Sequence, residues 1–246
     1  MIISFLSPAW WGVMLLGVIA IILNYEFTKH KTREQKLNFL FWLSIASIVF
    51  LTVYKIWLFI DKGYDAEFFN ELPINLCNLS LFFSCYAAKK DSKKAQAFMF
   101  YCCTLGAIMA LCMPCDGFYD VPVYLLRCIG YWGFHILVLI ICISYVAIGV
   151  YRPKIRDILP SCIILLIVVA FAHGCNVLLR STVYSEANYC FTYGIEGNFL
   201  TETMMKIIPY PFIYEFAFII PVVVVNIIMC WIANLPSKLR KKSETV

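Results

Sequence analysis

The chain has 246 residues, of which 62% are hydrophobic and 14% charged, and its mean hydropathy is +0.81. A soluble domain carries about 45–50% apolar and about 25% charged residues, so soluble, disordered and nucleic-acid-binding classes are excluded and an integral membrane protein is expected. The net charge of +5 is therefore read first as an asymmetry between loops, not as the mark of an acidic partner.

A membrane span needs about 20 mainly apolar residues. In chain order the candidates are 9–25, 39–60, 73–88, 96–113, 128–150, 159–179 and 209–234, which predict an all-α, polytopic fold of seven helices in one membrane domain. The first has no Lys or Arg ahead of it, so it lacks the basic region of a signal peptide and reads as a retained helix. The third is short and opens with Pro73, a residue suited to a first helical turn.

The loops alternate in charge. Fifteen basic residues fall on one side, in the groups Lys29 to Lys36, Lys89 to Lys94, Arg152 to Arg156 and Lys238 to Lys242. The other side carries Lys62, Arg127, Arg180 and Lys206, and Lys55 lies inside the second span. This bias places the N-terminus outside and the C-terminus in the cytoplasm, with the basic links anchored to anionic headgroups of the cell membrane. Outside, the segment 180–207 is long and holds Tyr184, Tyr189, Tyr193, Gly194, Gly197 and Asn198, the composition of a lid, a binding loop or a plain connector.

The depth of the ionisable groups is the most informative pattern. A charge near the bilayer centre costs several kcal/mol, so such residues tend to face a cavity and carry function. Lys55, Cys77, His135, His173 and Glu215 come from five spans, and at 1.5 Å rise per residue all lie about 6–12 Å below the outer boundary. The inner halves of the spans hold no Asp, Glu, Lys, Arg or His. His173, Asn176 and Arg180 follow at i, i+3 and i+7 and form one polar stripe; Cys77, Ser80 and Ser84 have the same spacing, flanked by Asn75 and Asn78. Such stripes predict a polar pocket open to the outer leaflet. Each member also has a structural reading: Lys55 can snorkel to the interface, Glu215 can pair with Lys55 or Arg180, and Asn78, Ser80 and Ser84 can join helices.

A Cys with a His in reach is a nucleophile and base pair, because imidazole takes the thiol proton and the thiolate attacks a carbonyl. Cys77 is the best-placed of the twelve cysteines, near the N-terminus of a short helix whose dipole favours thiolate. Two His, a Glu and a Cys are also zinc-type ligands, but no close-spaced pair anchors them, and no metal or cofactor is assigned. Cys112-Met113-Pro114-Cys115, with Cys190 in the outer loop, is raw material for a thiol oxidoreductase or for structural disulfides. A third reading is a non-enzymatic transporter or binding protein with an outward-facing polar pocket.

The segment Glu71-Leu72-Pro73-Ile74-Asn75-Leu76-Cys77-Asn78 resembles the Leu-Pro-x-His-x-Cys approach to a helix in the bacterial YwaF-like family, whose eukaryotic relative is the transmembrane protein 164 acyltransferase. The resemblance continues through a mid-helix His in Phe134-His135-Ile136-Leu137-Val138-Leu139, through the outer segment from Asn176 to Lys206, and through Pro209-Tyr210-Pro211-Phe212, and it covers roughly 70–234. It implies a seven-helix, Cys-dependent transacylase that moves a fatty acyl group between a phospholipid and a lysophospholipid. On that reading Cys77 is the nucleophile and His135 the base, while Lys55, Asn75, Asn78, His173, Asn176, Arg180 and Glu215 bind the headgroup or orient the base. One departure stands out: the family's His two residues before the Cys is Asn75 here, so either His173 replaces it or activity is impaired.

Overall fold

The computed structural model describes residues 1–114, 117–194 and 199–243, with side chains at all of these except 199, 200 and 236–243. Cys115, Gly197 and Asn198, and the side chains of Lys238, Arg240, Lys241 and Lys242, lie outside the described residues.

The described chain is helical apart from two short strands, β1 (Ile2–Ile3) and β2 (Val121–Pro122). Helix α1 (Pro8–Thr28) starts where the Ser7 side chain accepts the Trp10 N–H and Pro8 supplies the first helical residue. Helix α2 (Arg33–Leu58) starts with a capping box, in which Thr32 and Gln35 each accept the other's backbone N–H. Helix α3 (Leu76–Lys89) follows Asn75, and α4 (Lys93–Phe98) runs through a π-helical turn, Met99–Cys103, into α5 (Thr104–Cys112). Then come α6 (Leu126–Ala147), α7 (Ile158–Thr182), α8 (Phe199–Ile207) and, after a 3-10 turn at Ile213–Phe218, α9 (Ile219–Ser243).

Among the described residues, six segments are long and apolar enough to cross a membrane: α1, α2, the run Lys93–Cys112, α6, Ile155–Thr182 and Ile213–Leu235. They coincide with six of the predicted spans and establish a polytopic membrane protein. The predicted span 73–88 is the 14-residue α3, about 21 Å long at 1.5 Å per residue. Pro73 is not in its first turn, which corrects the expectation. The helix begins three residues later because Asn75 holds an extended backbone, φ −64° and ψ 149°.

Packing sorts the helices into an inner and an outer set. Lys93–Cys112 is the most deeply buried of the six segments and Ile213–Leu235 the least. Helices α2, α3 and α6 pack on one another, and α4 and α5 fill the centre against α6 and α7. Large apolar side chains such as Leu15, Leu16, Ile167, Leu178 and Ile220 face outwards, as lipid-facing positions must.

Each end of the bundle is stitched by its own polar contacts. At the basic end Arg33 grips Asp91 with two hydrogen bonds, Nε to Oδ2 at 3.0 Å and Nη2 to Oδ1 at 2.6 Å, and donates through Nη1 to the Val150 carbonyl at 2.9 Å. Lys36 reaches the Ile148 carbonyl at 2.8 Å. At the opposite end β1 and β2 pair antiparallel, Ile2 with Pro122 and Ile3 with Val121, and Arg127 contacts Asp61 at 3.3 Å.

Candidate functional site

Asn75, Cys77 and Asn78 lie at the start of α3, at the end opposite the basic loops. Asn75 occupies the N-cap position but does not close its own helix. Its Oδ1 instead accepts the Cys190 N–H at 2.8 Å, tying α3 to a segment 115 residues away. Cys77 is therefore the second residue of α3, half-buried against the main core, in the turn where helix N–H groups point outward. The Ser80 hydroxyl donates to the Cys77 carbonyl at 2.6 Å, and Asn78 is buried beside it in the same turn.

Cys190 lies directly over this helix start, with its Sγ 3.9 Å from the Ile74 carbonyl oxygen. Burial pushes its thiol up to about 12; a bond from the Leu76 N–H opposes the rise and the Glu215 charge adds to it. Cys190 and Phe191 both have left-handed backbones, φ 51° and 58°. Non-glycine residues hold that conformation only when the surroundings over-determine it. Asn75 holds the first of them, and the Tyr214 hydroxyl donates to the carbonyl of the second.

The stripe His173, Asn176 and Arg180 binds the outer segment. The fully buried Asn176 side chain pairs with the Tyr189 backbone in both directions, accepting the N–H at 2.7 Å and donating to the carbonyl at 2.9 Å. It also donates to Thr192 Oγ1 at 3.0 Å, and His173 Nδ1 meets the same hydroxyl at 2.9 Å. The His173 ring stacks on Phe212 at 5.1 Å. Arg180 donates to the Ala187 carbonyl at 3.2 Å and lies over the Tyr193 ring at 4.4 Å. Three side chains one turn apart thus clamp residues 187–193.

His135 belongs to a different environment. It is buried on α6, and its Nδ1 is 2.8 Å from the Tyr131 carbonyl oxygen one turn earlier. A carbonyl only accepts, so Nδ1 carries the proton and Nε2 keeps its lone pair in the neutral ring. The Tyr131 and Phe134 rings, 4.3 and 5.0 Å away, enclose it. Gly130 on the same helix takes the Tyr54 ring of α2 against its backbone, which brings α2 and α6 close together.

Neither pairing expected of Glu215 involves the bonds Lys55 and Arg180 make. Lys55 forms its ion pair with the buried Glu71, whose other oxygen accepts the Tyr64 hydroxyl at 3.0 Å. Glu215 instead lies by Tyr214 and Cys190. The expected stripe along α3 also divides. Ser84 is fully buried and bonds Ser44 on α2 at 2.7 Å and Tyr145 on α6 at 3.0 Å, joining three helices.

The structure thus ties Asn75 to Cys190 and brings His173 and Asn176 together on Thr192. Lys55 sits with Glu71. Glu71, Tyr64 and Thr192 escaped the sequence reading. Glu71 lies within the quoted motif, where the nearby Lys55 was the available signal, whereas nothing in the sequence marks Thr192. Of the CxxC motif, Cys112 is half-buried at the end of α5 and Cys115 is outside the described residues. Among the described residues no three His, Cys, Asp or Glu side chains gather as a metal-ligand set.

These features define a class: a polytopic helical membrane protein with a buried polar layer at one end, centred on a short helix and the outer segment latched over it. The TMEM164 family profile matches residues 5–232, so the chain belongs to the TMEM164 family. No curated protein and no solved structure matches the chain.

Proposed function

We propose that this TMEM164 family protein is a thiol-type lipid acyltransferase of the cell membrane, acting near the outer leaflet with Cys77 as nucleophile and His135 as base. The observation that carries the reading is the placement of Cys77 in the first turn of α3. Helix N–H groups and the dipole stabilise a thiolate there by about 0.3–1 kcal/mol at an exposed site, and more when partly buried. The His135 tautomer supports it, because the bond to Tyr131 leaves Nε2 as the proton-accepting nitrogen.

The reaction on this reading has two halves. The imidazole takes the thiol proton, and Cys77 Sγ attacks the ester carbonyl of a phospholipid. The tetrahedral oxyanion draws on N–H groups of the α3 start. The ester C–O bond then breaks, and the imidazolium returns its proton to the departing lysolipid alkoxide, leaving a Cys77 thioester. A second lysolipid hydroxyl, deprotonated by the same imidazole, attacks the thioester, forms the new ester and releases the thiol. Asn75 and the latched segment 187–193 shape the acceptor side, and Lys55 with Glu71 borders it. The bond of His173 Nδ1 to Thr192 supports a positioning role for His173.

In the same proposal α3 completes a seventh, short crossing, with the N-terminus outside and the C-terminus cytoplasmic. The grouping of 1–7, 59–75, 117–125 and 183–194 at one end and the basic links at the other agrees with it.

Purified protein in liposomes, supplied with a labelled phospholipid and an unlabelled lysophospholipid, tests the chemistry. Cys77→Ala should abolish acyl exchange, and His135→Gln should lower it at least 100-fold. Full exchange by Cys77→Ala would overturn the nucleophile assignment.

A further inference from the structure

A cavity of about 620 Å3 opens at the basic end of the bundle, opposite the start of α3, between α9 and the link that joins α6 to α7. Its membrane-side wall is apolar: Ile227, Ile228 and Trp231 of α9, all substantially exposed. Its rim is cationic, formed by Arg152 and Lys154, and among the described residues no Asp or Glu lines it. The nearest carboxylate in sequence, Asp157, accepts the Tyr151 hydroxyl at 2.8 Å.

The rim is built rather than loose. Asn234 of α9 donates to the Pro153 carbonyl at 3.1 Å, and Arg152 Nε donates to Asn234 Oδ1 at 3.3 Å. The Tyr101 hydroxyl donates to the Lys154 carbonyl at 3.0 Å. Asn234 of α9 and Tyr101 of the π-helical turn therefore fix the backbone that presents the two cations. The volume falls within the range of about 300–1,000 Å3 typical of sites for small molecules.

A greasy wall capped by two positive charges at the water boundary is complementary to an amphiphile with a negative head. We propose that this cavity holds one anionic phospholipid, its phosphate between Arg152 and Lys154 and an acyl chain along Ile227, Ile228 and Trp231. A zwitterionic lipid fits the wall equally well but brings a cation to a rim that already has two. The site is independent of Cys77 and of any acyl transfer.

Trp231 reports on the wall directly. The full chain is reconstituted in vesicles containing brominated-chain phosphatidylglycerol or brominated-chain phosphatidylcholine at 0.15 M salt, and the Trp231 contribution to quenching is obtained as the difference from Trp231→Phe. Phosphatidylglycerol should be preferred about 25-fold, since each of the two cations near the surface contributes on the order of a fivefold attraction. Arg152→Gln with Lys154→Gln should bring the preference close to 1. Lys154→Gln alone, which changes only an exposed side chain, should lower it about fivefold and guards against a folding defect in the double variant. Lys89→Gln with Lys90→Gln, exposed cations at the same end, should leave it unchanged. Equal quenching by the two lipids, a preference that survives both Lys154 variants, or an equal loss in the Lys89 and Lys90 variant would each overturn the proposal; the last would reduce it to general attraction to the surface.

Discussion

Asn176→Ala tests whether the outer segment is held by the α7 stripe. The substitution removes three hydrogen bonds from a fully buried side chain: to the Tyr189 N–H, to the Tyr189 carbonyl and to Thr192 Oγ1. The two Tyr189 backbone groups then lose these bonds. Each such buried group costs about 1–3 kcal/mol, and water reaching a loosened segment recovers part of that, which leaves about 2–4 kcal/mol. At about 1.4 kcal/mol per decade the opening equilibrium of the segment shifts about 30- to 1,000-fold. Hydrogen exchange of the protein in nanodiscs reads this directly. Amides within 184–194 should exchange faster by that factor, while those of α2 and α6 keep their rates. Leu178→Ala, an exposed position on the same helix, is the control. A change below about threefold at 184–194, or an equal acceleration throughout the bundle, would refute the latch.

The remaining predictions concern the frame around the site. Lys55→Ala leaves the Glu71 carboxylate, 7% exposed, with the Tyr64 hydroxyl as its remaining bond, and should destabilise the protein by about 3 kcal/mol in thermal unfolding. Lys55→Met with Glu71→Gln should recover much of that loss; no recovery would mean that the pair does not act as a unit. Gly130→Ala pushes a Cβ into the Tyr54 ring and should cost about 1–3 kcal/mol by forcing α2 and α6 apart, which denaturation of the variant would register. At Asp91 burial raises the carboxyl pKa, but the hydrogen bonds from Arg33 and Gln96 and the Arg33 charge outweigh it, and the net shift is downward. A folded pKa below the unfolded value of about 3.9 gives stability that is fully present above that pH and is lost as pH falls through the folded value. The pair is partly solvated, so the amount is below about 1 kcal/mol. Asp91→Asn should remove this acid-side slope, and an unchanged slope would place its origin elsewhere.

Much of the fold was legible in the chain because a bilayer imposes one demand everywhere. Apolar runs about 20 residues long have to become helices, since no water is present to satisfy their backbone groups. That demand sets α1, α2, α6, α7 and α9, and the helix-start signals at Ser7-Pro8 and Thr32 to Gln35 sharpen two of the boundaries. The start of α3 was less legible. Pro73 invited an early start, but the Asn75 side chain bonds to a residue 115 positions away, and no local pattern announces such a partner.

Residue types and depth by themselves determined that Lys55, Asn75, Cys77, His173, Asn176 and Glu215 lie toward one end of the molecule, because helical rise converts sequence position into depth. Which of them meet was decided by tertiary structure alone. Depth leaves the rotation of each helix about its axis open, and rotation depends on packing such as that of Tyr54 into Gly130. Hence Lys55 meets Glu71, the α7 stripe turns to the segment 187–193, and Cys190 comes to rest on the start of α3.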